Sequence, residues 1–191
     1  MKLVKTEFPG LLVLEPRVFE DNRGFFLESY NRNVFEDNDI QVDFLQDNHA
    51  YSKQKGVLRG FHFQAPPYGQ SKLVWVTRGA VYDVVVDLRL GSPTYGKWSG
   101  YELSAKNFKR LFIPAGFAHA YMALSVHTEF MYKVDAPYAP SHEGGIRWDD
   151  PDLAVKWPLA DPILSDKDKK LPLLSEMKSP FRYSTDEERN L

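Results

Sequence analysis

The 191-residue chain contains no cysteine, which excludes disulfides, thiolate nucleophiles and cysteine-ligated metal. No apolar run reaches the roughly 18 residues that a membrane-crossing helix needs, so none is expected. The opening residues, MKLVKTEFPG, carry lysines but no long apolar stretch after them, and they do not read as a signal peptide. A surplus of one charge is also missing. A formal net charge of −2 gives no electrostatic case for binding nucleic acid or an anionic membrane. Internal repeats and low-complexity tracts are absent. The expectation is a cytoplasmic protein with neither nucleic acid nor membrane as a partner.

What is present suffices for a core. Hydrophobic residues make up 43% of the chain and aromatics 14%, and the length suits one domain over 1–191 better than two. The organising stretch is Gly56–Gly79, GVLRGFHFQAPPYGQSKLVWVTRG. Val57, Leu58, Phe61 and Phe63 favour a strand, and Ala65–Gln70, with two prolines and a glycine, must turn. Lys72–Arg78 then alternates, with Lys72, Val74 and Val76 on one face. This pattern predicts His62 and Lys72 on neighbouring strands flanking a loop. Inside a small barrel both would be costly to desolvate without a partner or a task.

The stretch resembles the first signature of the cupin barrels: a glycine, a His-x-His pair, a glutamate and a closing glycine. Gly56, His62 and Gly79 keep their places, while Gln64 replaces the second histidine and Lys72 the glutamate. The second signature is similar to Pro114-Ala-Gly-Phe-Ala-His119. Two imidazoles and an ammonium make a poor divalent site, so no metal and no other cofactor is expected.

Elsewhere the pattern predicts many short strands: Leu3–Phe8, Leu11–Pro16, Val18–Glu20 and Gly24–Tyr30, then Val42–Asn48, Ala80–Leu88, Lys97–Ser104, Phe108–Ile113, His119–Leu124 and Glu129–Asp135. One short helix suits Asn31–Asn38. On the last strand Phe130, Tyr132 and Val134 share a face, which puts Tyr132 inside, where a plain core tyrosine is one reading. With the two signatures, this predicts an all-β, cupin-type jelly-roll β-barrel with a few short helices. The barrel core is expected at about 40–136, N-terminal strands at 1–30, and a C-terminal segment, 137–191, wrapping the barrel or closing its mouth. The charged stretch Ser175–Leu191 is expected to fray.

Seven ordered motifs extend the resemblance to about residues 3–175. They are Phe19-x-Asp-x-Arg23-Gly-Phe-Phe26-x-Glu28, Gln46-Asp47-Asn48-His49, Gly56-Val-Leu-Arg59-Gly-x-His62-x-Gln64 with Lys72, Pro114-x-Gly-Phe-Ala-His119, Glu129-Phe-x-Tyr132-Lys, Gly145-Ile-Arg-Trp-Asp-Asp150, and Leu164-Ser-x-Lys167-Asp168. In these motifs the chain resembles the dTDP-4-dehydrorhamnose 3,5-epimerase family. That resemblance implies inversion of C3 and C5 of a dTDP-linked 4-keto-6-deoxyhexose, on the way to dTDP-L-rhamnose, by a homodimer whose N-terminal strands pack across the partner.

The resemblance also implies roles. His62 would be the base, Asp168 its orienting carboxylate, Tyr132 the acid on the opposite face, and Lys72 the cation at the carbonyl oxygen. Arg23, Arg59 and Lys167 would meet phosphates or sugar, and Glu28, Gln46, Asp47, Asn48, His119 and Glu143 would contact the ligand. Phe19, Phe26 and Tyr138 would wall or stack on the base, although core packing serves equally for the two phenylalanines. Arg23, beside a turn glycine, also reads as a solvated arginine. Strict alternation puts Arg59 on the face opposite His62 unless Gly60 forms a bulge. Three other readings stay open: an epimerase of C3 or C5 alone acting on a related nucleotide sugar, a metal-dependent cupin enzyme, and a non-catalytic sugar-binding cupin.

Overall fold

A computed structural model of the chain describes residues 1–184. Its strands are β1 (Lys2–Lys5), β2 (Leu12–Glu15), β3 (Val18–Asp21), β4 (Gly24–Leu27), β5 (Gln46–Ser52), β6 (Leu58–Gln64), β7 (Lys72–Arg78), β8 (Ala80–Asp87), β9 (Trp98–Ser104), β10 (Arg110–Ile113), β11 (Phe117–Ala123), β12 (Thr128–Val134) and β13 (Glu143–Gly145). A short helix, α1 (Arg32–Glu36), begins where the Asn31 side chain accepts from the Asn33 N–H.

Two antiparallel sheets face each other. One runs β1-β2-β10-β7-β12-β5, the other β13-β6-β11-β8-β9. From β5 to β8 the chain changes sheet at every step, β8 and β9 form a hairpin, and the crossing resumes through β10, β11 and β12. That is the jelly-roll path. It also corrects one expectation. β6 and β7 are consecutive in the chain but lie in opposite sheets, so His62 and Lys72 face each other across the barrel rather than along one sheet. The Ala65–Gln70 loop is the crossing between sheets, not a hairpin turn.

Three apolar layers hold this arrangement. Val74, Val76 and Phe130 of the first sheet meet Val81, Val85, Phe117 and Tyr121 of the second. The outer face of the first sheet, with Leu14, Leu73 and Phe112, is covered by Phe35, Tyr30 and Phe44. The outer face of the second, with Phe61, Phe63, Val84 and Val86, is covered by Ile146, Leu153 and Phe181 from the C-terminal segment. Val42–Leu45, expected to open a strand, instead supplies Val42 and Phe44 to this cover, and the strand starts at Gln46.

The ends of the chain are integrated more deeply than their composition suggests. β2 pairs with β10, so residues 2–15 extend the main sheet instead of standing apart from the 40–136 core. β13 pairs with β6, and residues 175–184, expected to fray, are pinned by buried Phe181 and a parallel bridge between Leu90 and Arg182. The remainder of that expectation, 185–191, falls outside the described residues.

A buried ionic knot ties these ends together. The Asp87 carboxylate accepts from Arg89 Nε at 2.9 Å and Nη2 at 2.8 Å, from Ser92 at 2.6 Å and from Thr94 at 2.7 Å. Arg89 also donates to the Pro9 carbonyl and lies over the Phe117 and Tyr183 rings. Desolvation pushes the Asp87 carboxyl up, but these donors outweigh it and hold the group below the usual carboxylate range. Replacing Arg89→Leu strands a buried carboxylate, and is expected to lower unfolding free energy by about 3–5 kcal/mol in urea titration.

Candidate active site

Between the sheets, at one end of the barrel, lies a cavity of about 450 Å³. Its second-sheet wall carries Arg59 and His62 from β6 and His119 and Tyr121 from β11. The opposite wall carries Ala50 from β5, Lys72 from β7, and Phe130 and Tyr132 from β12. Ile163–Asp168 closes a third side, held by reciprocal backbone bonds of Ile163 with Gly56 and Leu58.

Alternation explains most of this placement: His119 and Tyr121, and Phe130 and Tyr132, are two residues apart on their strands. Arg59 and His62 are three apart and should point to opposite faces. The β6–β11 register resolves this, because His62 opposes His119 while Arg59 opposes Tyr121, leaving one extra residue on β6. The bulge centres on Gly60, at φ 118°. A Cβ there would lie 2.5 Å from the His119 carbonyl oxygen and 2.6 Å from the Ala120 Cα. Glycine is thus required where β6 crosses closest to β11, and its bulge brings Arg59 and His62 into one cavity.

Two histidines in the cavity are each held by a carboxylate. His62 Nε2 lies 2.7 Å from Asp168 Oδ1, and Asp168 is only 3% exposed. Desolvation raises the Asp168 carboxyl, but His62, the Gly60 N–H and the Ser165 hydroxyl more than offset it, so the group sits below its ordinary value. His119 Nε2 lies 3.0 and 2.9 Å from the two oxygens of fully buried Asp83. A carboxylate only accepts, so in both pairs the imidazole donates through Nε2, and Nδ1 is left for other contacts.

The first-sheet wall is electrostatically different. Burial lowers the Lys72 ammonium to about 8, against the pull of Asp83 and Glu143. Among the described residues Lys72 makes no ion pair. Burial raises the Tyr132 phenol, with Arg59 acting the other way, so it stays protonated at neutral pH. At the cavity edge the Lys167 ammonium is 2.5 Å from Glu143, whose same oxygen accepts from the Tyr138 hydroxyl at 3.0 Å. Desolvation of Glu143 is outweighed by these two donors, and its carboxyl is lowered.

Of the residues singled out in the sequence, His62, Lys72, Tyr132, Asp168, Arg59, His119 and Lys167 line the cavity. Glu143 and Tyr138 adjoin it through Lys167. Gln46 and Asn48 are bonded to each other on β5, with Asn48 opposite Tyr132 in register. Asp47 lies between them and points the other way, to Lys133 at 2.7 Å. Phe19, Arg23, Phe26 and Glu28 do not reach the cavity. β3 and β4 form their own two-stranded sheet, on which Phe19 and Phe26 are 50% and 71% exposed, so core packing does not describe them. Arg23 bonds Asp21 in its own turn, and Glu28 accepts from Asn31.

Asp83 and Tyr121 are not among the residues that the sequence pattern singles out. An acid among the apolar residues of AVYDVVVD, on the face that carries Val81 and Val85, was the available signal for Asp83. Gln64, where a cupin metal site has its second histidine, is spent on backbone: it donates to the Tyr68 and Pro137 carbonyls and accepts from the Ala139 N–H. Among the described residues no three histidine, aspartate or glutamate side chains are grouped to hold a metal ion.

A two-sheet jelly roll with polar residues gathered at one end of the barrel is a cupin-type β fold. Comparison with known proteins narrows the class. The family model described as dTDP-4-dehydrorhamnose 3,5-epimerase matches residues 5–176. A protein of that name from Shigella flexneri is 52% identical over 169 residues, covering 88% of this chain and 93% of the relative. The solved Bacillus anthracis str. Ames protein of that name, with TDP and PPi bound, superposes with a TM-score of 0.89 at 51% identity, covering 91% of this chain and 99% of that one. The Legionella pneumophila Philadelphia 1 dTDP-6-deoxy-D-glucose-3,5-epimerase, in complex with dTDP-4-keto-L-rhamnose, has a TM-score of 0.91 at 42% identity, with coverage of 96% and 99%. The chain belongs to the dTDP-4-dehydrorhamnose 3,5-epimerase family.

Because a Cβ at position 60 would strike backbone of β11 and sit at a positive φ, Gly60→Ala is expected to cost about 2 kcal/mol or more. A fall in the urea midpoint at unchanged slope would measure it.

Proposed function

We propose that this chain inverts C3 and C5 of dTDP-4-dehydro-6-deoxy-D-glucose to give dTDP-4-dehydro-L-rhamnose. The observation that carries the reading is the opposition of His62 on β6 and Tyr132 on β12 across one cavity that also holds the Lys72 ammonium. A proton on a carbon next to the C4 carbonyl is removed by His62. The C–H electron pair moves into the ring bond and the carbonyl π pair onto O4, giving an enolate. Lys72 offers positive charge and a donor to that oxygen. The enolate collapses, and the carbon takes a proton from the Tyr132 hydroxyl on the opposite face, which inverts the centre. Asp168 keeps the His62 proton on Nε2 and stabilises the imidazolium.

The same reading needs no metal. A carbonyl held by an ammonium is already polarised, and that ammonium would repel a divalent ion from the cavity. Arg59, Lys167, Glu143 and Tyr138 would serve the nucleotide diphosphate at the cavity edge. Gln46 and Asn48 are suited to sugar or nucleotide contacts beside Tyr132. Asp47, paired to Lys133, would need to turn to contribute.

The functional unit we infer is a homodimer. The exposed β3–β4 hairpin, with Phe19, Arg23 and Phe26 and with Glu28 just beyond it, would reach the partner's cavity, supplying the aromatic wall and the cation that one protomer does not bring to its own. We infer that the chain works in the cytoplasm, where nucleotide-linked substrates are made.

Incubation of substrate in deuterium oxide tests the roles. Tyr132→Phe is expected to lose inversion by about 10²–10⁴-fold while C3 or C5 still exchanges with solvent. His62→Ala is expected to lose both, and persistent exchange in that variant would sink the assignment. NMR of the wild-type product distinguishes inversion at both centres from inversion at one.

Lys72 sets the alkaline limb. Its charged form prevails below its pKa of about 8, so kcat/KM should fall as pH rises through that value. A profile that stays flat to about pH 9.5 would show that the resting cavity does not depress the Lys72 ammonium.

A further inference from the structure

Tyr121 lines the same cavity, yet the reaction above gives it no part. It lies two residues beyond His119 on β11 and is 5% exposed. Its ring is stacked on Phe130, with centroids 4.0 Å apart and planes 15° from parallel. The hydroxyl is buried and has no hydrogen-bond partner among the described residues. Ser52 lies near enough to act on it, but the two complete no hydrogen bond. Leaving such a hydroxyl unpaired in a protein interior is unfavourable, and a phenylalanine would keep the stacked ring without that penalty.

The surroundings restrict what the hydroxyl could meet. Arg59, Tyr132 and Asp83 are the ionisable groups that act on it. Burial raises its pKa to about 12, so it is a neutral phenol across the working range, able to donate and accept but not to balance charge. Phosphates are better served by Arg59 and Lys167, and the carbonyl oxygen by Lys72. The remaining polar groups of a hexose ring are its neutral hydroxyls, which pair well with a neutral phenol in a dry pocket.

We propose that the Tyr121 hydroxyl bonds a hydroxyl of the sugar ring, and so determines which 4-keto hexoses are oriented for proton transfer between His62 and Tyr132. This rests on the epimerase reading and adds a sugar-orienting residue to it. The locked ring makes the contact selective, because the phenol cannot swing to follow a displaced sugar without unstacking from Phe130.

Tyr121→Phe tests this through three measurements: steady-state epimerisation, titration with dTDP, which carries no sugar at that position, and thermal unfolding. The expected result is a drop of about five- to tenfold in kcat/KM, unchanged dTDP affinity, and a melting temperature equal to or above wild type. Unchanged kcat/KM would overturn the proposal. So would a loss matched by weaker dTDP binding or a lower melting temperature, since a structural tyrosine would behave that way. Failure of the wild-type protein to epimerise the 4-keto sugar would overturn the epimerase reading itself. An active wild type with an equally active Tyr121→Phe overturns only the role of Tyr121.

Discussion

The bond from His62 to Asp168 joins residues 106 apart in sequence, and the site is complete only where it closes. Without it the barrel would carry an imidazole with neither nitrogen committed, and the C-terminal segment would cover the cavity without bonding a side chain inside it. The bond requires Ile163–Asp168 to lie along the edge of β6. The backbone pairing of Ile163 with Gly56 and Leu58 secures that position. Apolar packing of Ile146, Leu153 and Phe181 on the outer face of the second sheet holds the rest of the segment. Hydrophobic burial positions the tail, and the tail supplies the carboxylate.

Charge in the cavity is distributed unevenly, and the unevenness suits enolate chemistry. His62 and Asp168, His119 and Asp83, and Lys167 and Glu143 each form a close pair. Lys72 does not, and desolvation without a partner lowers its pKa to about 8. In a low-dielectric cavity an uncompensated cation gains most from an anion that appears during the reaction. Pairing Lys72 with a resident carboxylate would stabilise the resting protein and weaken that gain. The same trade separates the two walls. The second sheet holds its histidines in fixed tautomers, while the first holds a phenol and an ammonium that remain free to meet a ligand.

Much of this was legible in the chain. The turn signals around short β-prone runs disclosed an all-β fold, and β12 showed its inner face because its outer positions, Glu129, Met131 and Lys133, are mostly polar. β8 did not, since it is buried along most of its length and valines sit on both of its faces, so the alternation does not tell which face Asp83 joins. Consecutive strands suggested neighbours in a sheet, but the jelly-roll path sends β6 and β7 to opposite sheets, and local pattern carries no information about that choice. Arg59 needed the Gly60 bulge, a feature set by how closely β6 and β11 cross. The β3–β4 hairpin was legible as strands, yet its position away from the cavity depends on tertiary packing that no periodicity encodes.

Replacing metal ligands in a cupin frame is more than deletion. The His62 and His119 positions oppose each other across β6 and β11, which is where a shared metal would draw their lone pairs together. Here each imidazole has its Nε2 proton bound by a separate carboxylate, Asp168 from the tail and Asp83 from β8. Such a carboxylate selects the tautomer and fixes the ring plane. In a metal site that would orient a ligand, whereas on the proposed reading of this cavity it would orient a proton acceptor. On the proposed reading Lys72 at the glutamate position is the decisive change, because a cation there would repel a dication and would meet the carbonyl oxygen with the right sign of charge. Gln64, turned to brace the backbone at Tyr68, Pro137 and Ala139, converts the last vacated ligand position into support for the loops at the cavity's edge.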